Sequence, residues 1–120
     1  MEFILQLYSD EKRWEKQSDE EARQTNGAYM AYSKALVDSG AFVHANRLEP
    51  TSTATTVRVT SDGKTEVLDG PYVDTKEQLG GYYLIQAPDL DAAISWAARC
   101  PGASHGTIEV RPIAQVRAAV

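Results

Sequence analysis

Two segments with helical periodicity, each set between extended segments, constrain the fold of this 120-residue chain more than any single residue does. The first opens at Ser18, with Glu21 three positions on. That pair makes a capping box, and Asp19, Glu20 and Glu21 suit the positive end of a helix dipole. The segment runs to about Ser39 and is closed by Gly40, placed where a left-handed residue ends a helix. Ala22, Thr25, Tyr29, Tyr32 and Leu36 recur along one side of it. The second segment is capped by Asp89, carries an apolar stripe of Leu90, Ala93, Ile94 and Ala97, and stops near Arg99 before Pro101-Gly102.

The segments around these helices alternate as strands do. In Glu2 to Tyr8, Phe3, Leu5 and Leu7 share one face, while Ile4, Gln6 and Tyr8 share the other. Both faces are largely apolar, as in a central strand. A polar loop containing Trp14 follows. Ala41 to Leu48 reads as a second strand and Thr55 to Thr60 as a β-branched third. Asp62-Gly63, inside Ser61 to Lys64, marks a hairpin turn, with Thr65 to Leu68 returning from it. Leu79 to Ala87 and Thr107 to Pro112 complete the set. Strand, helix, strand, hairpin, strand, helix, strand is the ferredoxin-like α+β plan with an inserted hairpin: an antiparallel sheet with helices on one face.

The other face of such a sheet must be polar or covered. Ile108 and Val110 are expected to face the helices, which sends Thr107, Glu109 and Arg111 to the open side. There they join Ile4, Gln6, Tyr8 and one of Tyr82 and Tyr83. Aromatic, amide, carboxylate and guanidinium groups mixed on one face suit a second copy packed over it, enclosing a semi-polar cavity. The expectation is a homodimer, a dimeric α/β-barrel.

Composition excludes several function classes. The net charge of -5, with no basic stripe, argues against a direct nucleic-acid partner. No apolar run reaches the roughly 20 residues of a membrane span, and no signal peptide is read at the N-terminus. The lone Cys100 permits no internal disulfide and suits the reducing cytoplasm. No Cys/His spacing suggests zinc, and no phosphate loop, dinucleotide fingerprint or nucleophile elbow is present, so no metal and no cofactor is expected. The whole of 1–120 reads as one domain.

One stretch is denser than a connection requires. Asp69-Gly70-Pro71-Tyr72-Val73-Asp74-Thr75-Lys76-Glu77, with Gly80-Gly81 after it, packs turn chemistry and four charges into nine positions. Asp69 suits an Asx-turn, Gly70 and Pro71 set unusual and fixed dihedrals, and Asp74 with Glu77 resembles a cap for one helical turn that Gly80-Gly81 ends. Local turn chemistry explains most of it. Asp69, Lys76 and Glu77 are left as candidates for a ligand site, with Lys76 a point charge for an anion.

This stretch and its flanks resemble the YCII-related proteins, and within them the subgroup named for a DGPF, or DGPFAETKE, motif. Here the motif stands as DGPYVDTKE, with Tyr72, Val73 and Asp74 as mild departures. Leu48-Glu49-Pro50, Ala54 to Arg58, Gln78 to Tyr83, Trp96 to Pro101 and Ile108 to Pro112 are similar as well. The likeness spans nearly all of the chain. It implies a dimeric α/β-barrel of ferredoxin-like protomers. It also implies a sigma-factor-linked regulatory or stress context, since members of the subgroup are encoded beside extracytoplasmic-function sigma factors. In relatives outside the subgroup it implies a His-Asp pair for acid/base or dehalogenation chemistry. The helix position matching that His is Tyr29, and a phenol is a poor base at neutral pH.

The expected function is therefore binding of a small anionic or aromatic ligand in a cleft between sheet, first helix and motif loop. The candidate ligand-binding residues are Asp69, Lys76, Glu77, Tyr29, Tyr32, His44 and Arg111. His44 shares strand parity with Phe42, Asn46 and Leu48. Tyr29 and Tyr32 pack into the core with hydroxyls at the rim. No catalytic residue is assigned. The alternative is a cofactor-free lyase or isomerase working by acid/base chemistry.

Overall fold

The computed structural model describes residues 1–115. In chain order the elements are β1 (Glu2–Ser9), α1 (Glu11–Glu15), α2 (Asp19–Asp38), β2 (Phe42–Arg47), β3 (Thr55–Val59), β4 (Thr65–Asp69), β5 (Gln78–Gln86), α3 (Leu90–Arg99) and β6 (Thr107–Pro112). Short 3-10 turns occupy Thr51–Thr53 and Pro101–Ser104. Strands β2, β5, β1 and β6 make one antiparallel sheet in that order, and β3 pairs only with β4. With α2 and α3 on one face, this is the ferredoxin-like α+β arrangement. The sheet does not close into a barrel.

The core lies between the helices and one sheet face. Phe3 and Leu5 of β1, Tyr83 and Ile85 of β5, Tyr32 and Leu36 of α2, and Ala93 and Ala97 of α3 are buried there, with Cys100. The stripe expected on α2 is the one buried. Ser18 Oγ accepts from the Glu21 amide at 3.1 Å and contacts the Glu21 carboxylate at 3.2 Å. At the far end Gly40 adopts a φ of 79°, and the Gly40 and Ala41 amides donate back to the carbonyls of Val37 and Leu36. That pattern is a Schellman ending, which satisfies carbonyls the helix leaves orphaned. On α3 the stripe is shifted: Leu90 and Ile94 are exposed, while Ala93, Ala97 and half of Trp96 face the core. Alanines on that side let α3 lie close to the sheet.

The segment expected as a polar loop contains α1. Five residues are too short for periodicity to show, and tertiary bonds hold the turn. Asp10 caps it, Trp14 Nε1 donates to Ser9 Oγ at 2.7 Å, and the Glu11 carboxylate accepts from the Thr51 amide and hydroxyl at 2.7 and 2.8 Å.

Two irregularities decide which side chains face where. Leu7 pairs with Gly81 and Tyr8 with Leu79, so Gly80 bulges from β5. Gly80 and Gly81 thus lie inside a strand rather than ending a helical turn. A Cβ on Gly81 would sit 2.9 Å from the Asn46 carbonyl oxygen, so a side chain there would push β2 away. On β2, Phe42 pairs with Ile85 but His44 with Leu84, which takes Phe42 off the parity of His44 and Asn46.

The motif stretch is less helical than its sequence suggests. Residues 71–77 form bends with no helical turn, and Asp74 caps nothing. The expected Asx-turn at Asp69 is not made, because the residue two positions on is Pro71, which has no N–H to donate. Gly70, at φ 104°, instead closes the base of the β3–β4 hairpin: its amide donates to Ala54 and its carbonyl accepts from Thr56 Oγ1, both at 2.8 Å.

Candidate functional site

The face of the sheet turned away from the helices carries two transverse rows, fixed by strand register. One runs His44, Leu84, Ile4, Arg111; the other runs Asn46, Tyr82, Gln6, Glu109. Strands lie about 4.8 Å apart, so each row spans roughly 14 Å from β2 to β6. The four central side chains are half-buried and the outer four are exposed. The floor is therefore apolar on one row and phenol plus amide on the other, with hydrogen-bonding and charged groups at both ends.

At the β2 end the groups are organised. The Asn46 amide donates to the Tyr82 oxygen at 3.1 Å, and the Tyr82 hydroxyl lies 3.2 Å from His44 Nδ1. The Asn46 amide nitrogen also lies 3.5 Å from His44 Nε2, so the imidazole tautomer sets which of Tyr82 and His44 donates to the other. At the β6 end Arg111 Nη2 meets Glu109 Oε1 at 3.1 Å, with both side chains well exposed. An ion pair so exposed contributes about 0–1 kcal/mol. Arg111 is therefore readily exchanged onto another carboxylate. Thr107, next along this face of β6, donates to Glu77 Oε1 at 3.0 Å, bringing the last motif residue to the edge of the face.

The seven candidate residues divide by location. His44, Arg111 and Glu77 border the open face. Lys76 is exposed on the neighbouring loop, and Asp69 sits at the hairpin base with its side chain exposed. Tyr29 and Tyr32 lie on the opposite side of the sheet. The Tyr32 hydroxyl is not at a rim: it donates to the Trp96 carbonyl at 2.7 Å, and the residue is 5% exposed. The Tyr29 hydroxyl is packed against Gly102 and Cys100. Burial raises the pKa of both phenols far above the ordinary value, with nearby Cys100 adding to it, and burial likewise raises the Cys100 thiol. These groups stay protonated and serve packing.

Sequence reasoning placed Asn46 on the parity of His44 without making it a candidate, and left Tyr82 undecided against Tyr83. The signal for Asn46 was strand parity, since it lies two positions from His44 and so shares its face. The bulge at Gly80, invisible in alternation alone, kept the choice between the tyrosines open.

Two surface recesses lie elsewhere. One of about 350 Å³ is lined by Arg13, Lys16, Glu21 and His105 among others, and one of about 310 Å³ by Arg58, Glu66, Asp69 and Tyr72 among others. Neither includes His44, Tyr82, Glu109 or Arg111. Among the described residues no three His, Cys, Asp or Glu side chains are grouped to hold a metal ion, and no helix is long and apolar enough to cross a membrane.

Comparison with known proteins places the chain. A family model for the YCII-related domain matches residues 1–117. An uncharacterized protein of Rhizobium meliloti (strain 1021) is 39% identical over 119 residues, covering 95% of this chain and 93% of that protein. Together with the ferredoxin-like sheet, these matches establish that the chain belongs to the YCII-related family.

Proposed function

We propose that this protein is a small-molecule-binding homodimer whose ligand lies on the two-row sheet face, enclosed by a second copy. The observation that carries this reading is the placement of organised polar groups at both ends of a half-apolar floor: Tyr82 held between His44 and Asn46, and Arg111 on a weak ion pair about 14 Å away. Surface decoration needs no such arrangement. A flat apolar or aromatic body fits on Leu84 and Ile4, and a carboxylate fits Arg111 by displacing Glu109, since guanidinium binds carboxylate in a two-pronged manner. Lys76 and Glu77 border the entrance, and Asp69 adds a carboxylate at the hairpin base. The motif from Asp69 to Glu77 marks the chain as a DGPF-type member, and a cytoplasmic, sigma-factor-linked regulatory role accords with binding rather than turnover.

The test is a thermal-shift screen of aromatic and aliphatic carboxylic acids against wild type, Arg111→Gln and Lys76→Ala. A true ligand raises the wild-type midpoint in a concentration-dependent way. Arg111→Gln weakens it about tenfold or more, as loss of a charge-assisted bond does. If no compound stabilises the wild type at millimolar concentration, or Arg111→Gln binds equally well, the reading fails.

A second reading, acid/base catalysis of a lyase or isomerase kind, is favoured by one observation: the imidazole of His44 touches the Tyr82 hydroxyl, and such a pair can relay a proton. It requires turnover of a compound found in the screen, with a rate that falls at least 100-fold in Tyr82→Phe.

A further inference from the structure

The β3–β4 hairpin is the part of the molecule least explained by a single chain. Val57, Val59, Val67 and Leu68 are 61%, 63%, 62% and 60% exposed. Register puts Val57, Val59 and Val67 on one face, Val57 directly opposite Val67, and Leu68 on the other. Among the described residues the hairpin pairs with no other strand. An isolated two-stranded hairpin is at best marginally stable in water, yet this one has a specified turn, with Gly63 at φ 84°, and a base closed by Gly70. Its root is anchored too, since Glu11 clamps Thr51 just before β3. A rigid root under an uncovered apolar arm points to something that covers it.

Surface area indicates how much. The chain exposes 8670 Å², whereas a compact protein of 13.2 kDa exposes about 6,400 Å². Its extents are 50 × 48 × 18 Å, and its radius of gyration is 16.9 Å against roughly 14 Å for a compact chain of this length. Two such chains hold an excess of about 4,500 Å², within the range of obligate homodimers. The chain also supplies both halves of a contact: an uncovered valine arm and an uncovered, partly apolar sheet face.

We infer that the β3–β4 hairpin is an exchange arm. In a dimer each arm lays Val57, Val59 and Val67 against the other copy and closes the rim of its two-row face, so that each site is completed by both chains. This rests on the homodimer reading above and adds to it a specific structural element. The occupant is a second copy because the excess area matches that of an obligate homodimer, and a two-fold partner offers the same arm and the same face in return.

The test is sedimentation equilibrium of the wild type and of V57K/V67E. The two residues face each other across the hairpin, so opposite charges keep it paired while removing its apolar face. The wild type is expected to be dimeric, and V57K/V67E to have a dissociation constant raised at least 100-fold with unchanged circular dichroism. Hydrogen exchange on the wild type gives the second readout: amides of Thr55–Val59 and Thr65–Asp69 should exchange at least tenfold more slowly above the dissociation constant than below it. A dimeric wild type with an unchanged variant, or arm amides that exchange alike in both states, overturns the arm and leaves the homodimer standing. A monomeric wild type overturns both. If V57K/V67E does not fold, the exchange experiment decides alone.

Discussion

Replacing Tyr32 by Phe removes one hydroxyl and leaves the ring, which makes it a clean probe of whether this residue belongs to the core or to a site. The magnitude follows from one bond. The Trp96 carbonyl lies in the last turn of α3, where the amide four residues on would ordinarily be its donor. That amide, of Cys100, turns instead to Ala97 at 3.1 Å. Tyr32 Oη fills the vacancy at 2.7 Å. In the Tyr32→Phe variant the carbonyl would be left without that donor in a largely dry setting, a loss of about 1–2 kcal/mol. The edge-on ring contacts to Tyr83 at 5.2 Å and Trp96 at 6.2 Å remain. For a chain of this length the loss corresponds to a fall in Tm of roughly 5 °C. Urea unfolding followed by circular dichroism at fixed protein concentration should show a lowered midpoint with an unchanged slope. Ligand affinity in the Tyr32→Phe variant should match wild type. A loss below about 0.3 kcal/mol would refute the bond's stated role, since it sits under the range for a buried hydrogen bond. Weakened ligand binding at undiminished stability would return Tyr32 to the site.

Two further predictions concern packing, one in the same core and one at the turn before β6. Burial raises the pKa values of Tyr29, Tyr32, Tyr83 and Cys100, so above their ordinary values of about 9–10 the unfolded chain binds fewer protons than the folded one. Their contribution to stability is complete below pH 9 and is lost as pH rises beyond it: the urea midpoint should hold steady from about pH 7 to 8.5 and fall between about 9 and 11, and a flat profile to about pH 10.5 would contradict this. Gly106→Ala would put a Cβ 2.2 Å from the Tyr8 carbonyl oxygen, a backbone clash that no rotamer relieves. It should cost about 3 kcal/mol, read as a collapse in the urea midpoint or in soluble yield, and a variant of wild-type stability would refute the packing of the turn before β6 on β1.

Much of this architecture was legible in the sequence because local signals agreed with tertiary ones. The Ser18 cap, the Gly40 ending and the alternation of Phe3, Leu5 and Leu7 each act over a few residues, and the fold uses all of them. The expectation that Thr107, Glu109 and Arg111 share the open face held for the same reason. Failures came where long-range contacts decide. Helix α1 exists through Trp14 on Ser9 and Glu11 on Thr51, pairs that no periodicity reveals. The capping pattern of Asp74 and Glu77 yields to β5, which begins at Gln78; the Gln78 side chain is already committed to the Glu11 amide at 3.0 Å. On α3, two neighbouring stripes fit the helical period equally well, and the sheet selects the one with alanines. For the site, parity located His44 and Arg111 on the face but could not show that they stand at its opposite ends. Tyr29 and Tyr32 looked like site residues because a phenol at helical spacing suits a rim as well as a core. Which side of the sheet received them was a matter of packing.

On the homodimer reading proposed above, a second copy covers the face bearing Leu84 and Ile4. Sedimentation equilibrium of wild type beside Leu84→Glu, at micromolar concentration, addresses it most directly. Leu84 lies at the middle of one row and points away from the core, so a carboxylate there leaves the protomer folded but charges the surface that the copies share. A face shared by two copies gives a wild-type mass of twice 13.2 kDa and a folded Leu84→Glu monomer. A wild type that sediments at 13.2 kDa, or a Leu84→Glu variant that remains a dimer, would contradict it.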